Sequence, residues 1–168
     1  MTTLYAQPYN IDATGFYFNS AEEYDAKAKD NFDRYGQFVE EYEIQFIDGE
    51  AIDVEVAKAW GLSECNFAEF FDFIDECDDE QKRLYVIAVD HCGIDHASVA
   101  ANPYDSDITL YHLRDLKELA EEFVEEGLFG DIPEQLRFYI DYEAIARDLS
   151  MDYASAEIAG THLIYRCP

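Results

Sequence analysis

Thirty-eight acidic side chains stand against eleven basic ones in this 168-residue chain, giving a formal net charge of −27. No other feature limits its folds and partners as strongly. Self-repulsion on this scale works against a compact state. Solubility alone needs a net charge of magnitude roughly 2–8 in a small domain. The excess is not a tail: residues 1–60 hold 13 acids and 4 bases, residues 61–108 hold 12 and 2, and residues 109–168 hold 13 and 5. Such a field disfavours direct contact with DNA or an anionic membrane and selects a basic partner, or one that itself binds nucleic acid.

The chain is nonetheless built to fold. Hydrophobic residues make up 49%, with 13 Tyr and 12 Phe, whereas disordered acidic segments are poor in aromatics. The length suits one domain or a few small packed subdomains. No apolar run approaches the roughly 20 residues of a membrane span, and MTTLYAQPYN lacks the charged and apolar regions of a signal peptide. Cys65, Cys77, Cys92 and Cys167 form no CxxC pair. These features predict a cytoplasmic protein with free thiols.

Patterning predicts an α+β chain with three parts, residues 1–61, 62–106 and 107–168. In the first, LYAQPY (4–9) and GFYFN (15–19) read as a hairpin, and YEIQFI (42–47) as a third strand. Between them Ser20 with Glu23 makes a capping-box pattern that opens a helix running to Gly36. Asp53 caps a short helix, VEVAKAW, that Gly61 stops. The second part is helical. Asn66 and Glu69 mark a helix start, and Phe67, Phe70, Phe71 and Ile74 form one buried stripe. RLYVIAV (83–89) reads as helix and ANPYDSD (101–107) as a loop.

The third part opens on a strand, DITLYH (107–112). A helix follows with Leu113, Leu116, Ala120, Phe123 and Val124 on one side and Glu118, Glu121, Glu122, Glu125 and Glu126 on the other; Gly127 and Gly130 end it. Asp131 with Glu134 is a cap-like pair, with Pro133 tolerated in the first turn. Ile132, Leu136, Tyr139 and Ile140 form a stripe expected to build the C-terminal core. Tyr142, Ile145, Ala146 and Leu149 form another in a shifted phase, so the chain breaks near Asp141. AEIAGTHLIYR (156–166) reads as two strand-like pieces around Gly160.

Few motifs carry chemistry. DECDDEQ and YDSDITL lack the alternating oxygen ligands and central Gly of a calcium loop, so no metal and no cofactor is expected. DHCGIDH (90–96) gathers His91, Cys92, Asp95 and His96, but the spacing matches neither a zinc site nor a thiol–imidazole dyad; it reads as an ordinary helix end. Walker A, dinucleotide and GxSxG signatures are missing, and among 38 acids an accidental carboxylate pair carries no information. The chain reads as a non-enzyme. What needs explaining is the scarcity of lysine, since ordinary solvated helices alternate signs and like charges one turn apart cost stability. DNA carries about one negative charge per 1.7 Å of axis, so two copies of this chain match roughly 90 Å of duplex.

The stretch GLFGDIPEQLRFYIDYEAIARDLSMDY resembles the ArdA antirestriction family. The matching elements are Gly127, the turn Asp131-Ile132-Pro133-Glu134, the run Tyr139-Ile140-Asp141-Tyr142-Glu143-Ala144, and Ala146-Arg147-Asp148-Leu149. GFYFNSAEEYDAKAKD followed by EEYEIQFID is similar to the family's N-terminal strand–helix–strand. The resemblance implies an elongated acidic protein of three small subdomains: an N-terminal three-stranded antiparallel sheet with a helix, a helical middle and a C-terminal α+β part. It implies a homodimer, carried by conjugative elements or phages, that binds Type I restriction–modification enzymes in the place of DNA. The segment corresponding to Gly127, Asp131, Pro133, Glu134, Tyr139, Asp141, Tyr142 and Glu143 is associated in the family with antirestriction activity and dimer contact.

On this reading the phosphate-imitating surface comprises Glu69, Asp72, Asp75, Glu76, Asp79, Glu118, Glu121, Glu122, Glu125 and Glu126. Two rivals stand beside it. One is an acidic adaptor that sequesters another basic nucleic-acid-binding protein. The other is an enzyme using His91, Cys92 and His96.

Overall fold

Alternation of side chains along residues 3–8 makes the first strand. In β1 (Thr3–Pro8), Leu4 and Ala6 are fully buried, as period-two patterning requires. The computed structural model describes residues 1–168. Strands β2 (Phe16–Phe18) and β3 (Tyr42–Asp48) flank β1 in an antiparallel sheet of order β2-β1-β3. The register pairs Leu4 with both Phe18 and Phe46. Gly15 lets the hairpin close, because a Cβ there would lie 2.4 Å from the Ala6 carbonyl oxygen.

Helix α1 (Ala21–Ala28) begins at Ser20, whose hydroxyl accepts from the Glu23 amide. The reciprocal bond goes one residue further out: Glu23 Oε2 accepts from the Asn19 amide at 2.8 Å. The helix stops at Ala28 rather than reaching Gly36. Asp33 supplies the reason, since its carboxylate accepts from the backbone N–H groups of Tyr35 and Gln37 and from the Asn10 side chain. A carboxylate that bonds its own local backbone competes with helix.

Helix α2 (Ala51–Trp60) starts at Glu50 and ends at Gly61, which sits in the left-handed region at φ 64°. Asp53 is not its cap. It is buried, accepts from the Thr2 hydroxyl at 3.0 Å and pairs with the buried Lys82 ammonium at 2.8 Å. Lys82 lies on α4 (Asp79–Val86), which a capping box of Asp78 and Gln81 opens. Between them, α3 (Phe67–Glu76) buries Phe67, Phe70, Phe71, Phe73 and Ile74. Asn66 precedes α3 without capping it; its side chain instead accepts from the Ser63 amide and donates to the Gly61 carbonyl.

A π-helical segment, Ile87–His91, extends α4, and α5 (His96–Ala100) follows. The aromatic rings of this region form one packed set, with Phe18 edge-on to Phe67 at 5.3 Å and Trp60 against Phe73 at 5.2 Å. Each such buried ring contributes about 1.5–3 kcal/mol.

The chain divides into two compact units, Met1–Pro103 and Tyr104–Pro168. In the second, β4 (Thr109–Tyr111), β5 (Ala154–Ile158) and β6 (Thr161–Arg166) form an antiparallel sheet of order β4-β6-β5. The β5–β6 hairpin turns through Ala159 and Gly160, both at positive φ, the geometry that follows strand twist. Helix α6 (Leu116–Glu125) packs against this sheet, and Leu119, Phe123 and Ile164 form the core with Tyr111, Leu113, Leu116, Leu149 and Tyr153 around it. Leu119 completes the stripe read from the sequence. Helix α7 (Tyr142–Leu149) is capped by Asp141, whose carboxylate accepts from the Ala144 amide.

The segment before α7 departs from expectation. Glu134–Tyr139 is a 3-10 turn with no buried residue and no side-chain cap. Its apolar side chains do not build the core: Phe138 is 93% exposed and Tyr139 84%. The fold is α+β, as the patterning predicts. No helix is long and apolar enough to cross a membrane. Cys65 and Cys77 are free thiols.

Candidate protein-binding surface

Helix α3 is the simplest acidic face. Its rings point inward, and that rotation turns Glu69, Asp72, Asp75 and Glu76 out into solvent. Asp79 is exposed at the start of α4, 3.6 Å from Arg83. The basic side chains of this unit are mostly committed elsewhere: Lys27 to Glu23, Arg34 to Asp12, Lys58 to Glu55, Lys82 to Asp53.

Helix α6 carries the second face. Glu125 and Glu126 are exposed, whereas Glu118, Glu121 and Glu122 are half-buried. Glu118 is held in place. Its carboxylate accepts from the Arg114 backbone amide at 2.9 Å and from the Arg114 guanidinium. Arg114 beside it holds the Glu118 carboxyl below the usual carboxylate range.

The ends of these two helices set them apart. A helix C-terminus carries partial negative charge and favours a cation. Helices α1, α2, α4 and α7 obey, with Lys27, Lys58, Arg83 and Arg147 in their last turns. Helices α3 and α6, like the five-residue α5, have no basic residue there. They end instead on Asp75 and Glu76, and on Glu125 and Glu126.

A different surface lies between α6 and α7. Gly127 and Gly130 both adopt positive φ, and the chain they release exposes Leu128, Phe129, Leu136, Phe138 and Tyr139. Asp131, Pro133, Glu134, Asp141 and Glu143 are exposed along the same stretch, and Tyr142 is half-buried. Glu143 pairs with Lys117 at 3.3 Å. Contiguous exposed apolar side chains with a polar rim mark interaction surfaces.

The DHCGIDH cluster does not converge. His91 is exposed at the end of the π-helical segment, and His96 Nδ1 lies 2.6 Å from the Tyr85 hydroxyl, pointing inward. No group of three or more His, Cys, Asp or Glu side chains could hold a metal ion. The sequence reading missed a cavity of about 400 Å³ lined by Trp60, Phe73 and His96 among others, with Glu69, Asp72 and Glu76 at its edge. Its residues come from three helices, so no local motif announces it.

Fold and surface together define an acidic α+β chain with an exposed apolar strip. The family described as "Antirestriction protein (ArdA)" matches residues 10–163 of the 168. The chain belongs to this antirestriction family, as the Gly127–Leu149 stretch implies. No curated protein matches the chain.

Proposed function

We propose that this protein is an acidic DNA mimic that occupies the DNA-binding groove of Type I restriction–modification enzymes and keeps DNA out. The observation that carries this reading is the pair of helices, α3 and α6, that end on carboxylates with no base in the last turn. Each such arrangement costs its own helix stability, which is understandable where the field acts on a partner. No bond is made or broken. Glu69, Asp72, Asp75, Glu76 and Asp79, with Glu118, Glu121, Glu122, Glu125 and Glu126, stand in for phosphates and use the attraction that a basic groove exerts on DNA. The field is shared, so single charge reversals have small effects.

The working unit is a homodimer joined through the Gly127–Glu143 stretch. Exposed Phe138 and Tyr139 would be covered by the same strip of a second copy, as a two-fold interface requires.

The test is competition between this protein and labelled duplex DNA for a purified Type I methylase core. DNA should be displaced, and this protein's own affinity for the core, measured without DNA, should fall as salt rises from about 50 to 200 mM. DNA that stays bound, or a ternary complex, would contradict the mimic. Capture of many basic proteins instead of one restriction complex would favour the acidic adaptor.

A further inference from the structure

We propose that the cavity beside α3 and α5 is a docking pocket for an arginine side chain of the protein partner. The inference rests on the mimic reading and adds a specific anchor to its diffuse field. The cavity, of about 400 Å³, has two chemically different sides. The half-buried His96, with the small exposed margins of the buried Trp60 and Phe73, supplies an aromatic wall, and Glu69, Asp72 and Glu76 supply carboxylates. Those three acids fall at i, i+3 and i+7, one face of α3. No lysine or arginine lines the space.

The wall is fixed before any ligand arrives. Trp60 Nε1 donates to the Asn66 carbonyl at 3.2 Å, and its ring meets His96 edge-on at 4.3 Å. His96 is held in turn by the fully buried Tyr85, with 2.6 Å between its Nδ1 and the hydroxyl. Pre-organised walls reduce the ordering cost of binding.

An arginine suits both sides. Its guanidinium is weakly hydrated, stacks against aromatic groups and presents forked donors to carboxylates, whereas a lysine ammonium is a strongly hydrated point charge. Phosphate imitation alone would not call for the aromatic wall.

Trp60 is the single tryptophan of the chain, so its fluorescence reports on the pocket. The probes are blocked Gly-Arg-Gly and Gly-Lys-Gly peptides at constant ionic strength. The arginine peptide should give a saturable change, binding at least roughly threefold tighter than the lysine peptide. Ala97→Phe, at an exposed lining position, fills the space without changing charge and should abolish that change. Glu125→Gln with Glu126→Gln, which removes charge from the other unit, should leave it intact.

A response that does not saturate, that persists in Ala97→Phe, or that falls equally in the α6 variant overturns the pocket. Should Ala97→Phe fail to fold, Glu69→Gln with Asp72→Asn decides: both positions are exposed, and unchanged arginine binding there is also fatal. In the DNA competition, Ala97→Phe should weaken displacement roughly 3- to 10-fold. Equal displacement by this variant removes the docking role and leaves the mimic standing. A wild-type chain that binds the arginine peptide but displaces no DNA removes the mimic instead.

Discussion

Helices α1 and α6 begin alike and end differently. Ser20 caps α1 through the Glu23 amide, and Asp115 caps α6 through the Glu118 amide. Each helix then uses its N3 glutamate in an ion pair across one turn, Glu23 with Lys27 and Glu118 with Arg114. In α1 the base lies ahead, in the last turn, where it complements the helix dipole. In α6 the base lies behind the cap, and the last turn is left to Glu125 and Glu126. The reverse order gains less from the dipole and the pair geometry. The same local chemistry thus serves folding in one helix, while in the other it leaves the far end negative. Helix α3 repeats the second arrangement. That contrast puts the proposed phosphate-imitating charge on α3 and α6 and not on acids in general.

The largest expected effect separates the two helices by function. Replacing Glu121, Glu122, Glu125 and Glu126 together by Gln should weaken DNA displacement about tenfold or more, a loss of about 1.4 kcal/mol. Neutralising Glu22, Glu23, Asp25 and Asp30 around α1 removes as many charges and should change displacement less than about threefold. Equal losses in the same competition assay would erase the distinction.

The shared beginnings give the next effect. Ser20→Ala and Asp115→Ala should each cost about 1 kcal/mol, read from urea unfolding. A much smaller loss for Asp115 would mean that the capping geometry of α6 contributes little.

The unlike ends predict opposite signs. Glu125→Lys and Glu126→Lys should each stabilise the fold by about 0.3–1 kcal/mol while weakening inhibition, and Lys27→Glu should destabilise it by a similar amount. If the lysines at 125 and 126 left the fold no more stable, the carboxylates there would not be a cost carried for function.

The smallest effect is in acid. The Lys27 ammonium holds the Glu23 carboxyl below its ordinary value of 4.5, and Arg114 does the same for Glu118. A folded-state value that is lowered contributes stability above the ordinary value and loses it as pH falls through the lowered one. The stability difference between wild type and Glu23→Gln, or Glu118→Gln, should therefore shrink as pH drops below 4.5. A difference that stays constant through that range would argue against the ion pairs.

Much of this fold is legible in the sequence because its signals are local. Alternation gives β1 and β3, the Ser20 cap opens α1, and the phase shift at Asp141 marks the start of α7. The misreadings come from side-chain bonds and from burial, neither of which periodicity encodes. Asp53 looks like a cap until Lys82, 29 residues on, is seen to pair with it. Asp33 ends α1 through bonds to Gln37 and Asn10, which a helical period does not register. The stripe of Leu136 and Tyr139 has core periodicity, yet periodicity says only that a face is apolar, not what covers it. The acidic array itself was readable as residues, but Arg114 locking Glu118 and the aromatic wall beside Glu69 were not.

The central claim is that the carboxylates of α3 and α6 do the work of phosphates. The decisive measurement is the salt dependence of this protein's own binding to the methylase core, with no DNA present, compared among wild type, the α6 quadruple Gln variant and the α1 quadruple variant. Wild-type affinity for the core should fall as salt rises. The slope should be shallower for the α6 variant and unchanged for the α1 variant. A wild-type slope near zero, or the same slope in all three, would contradict it.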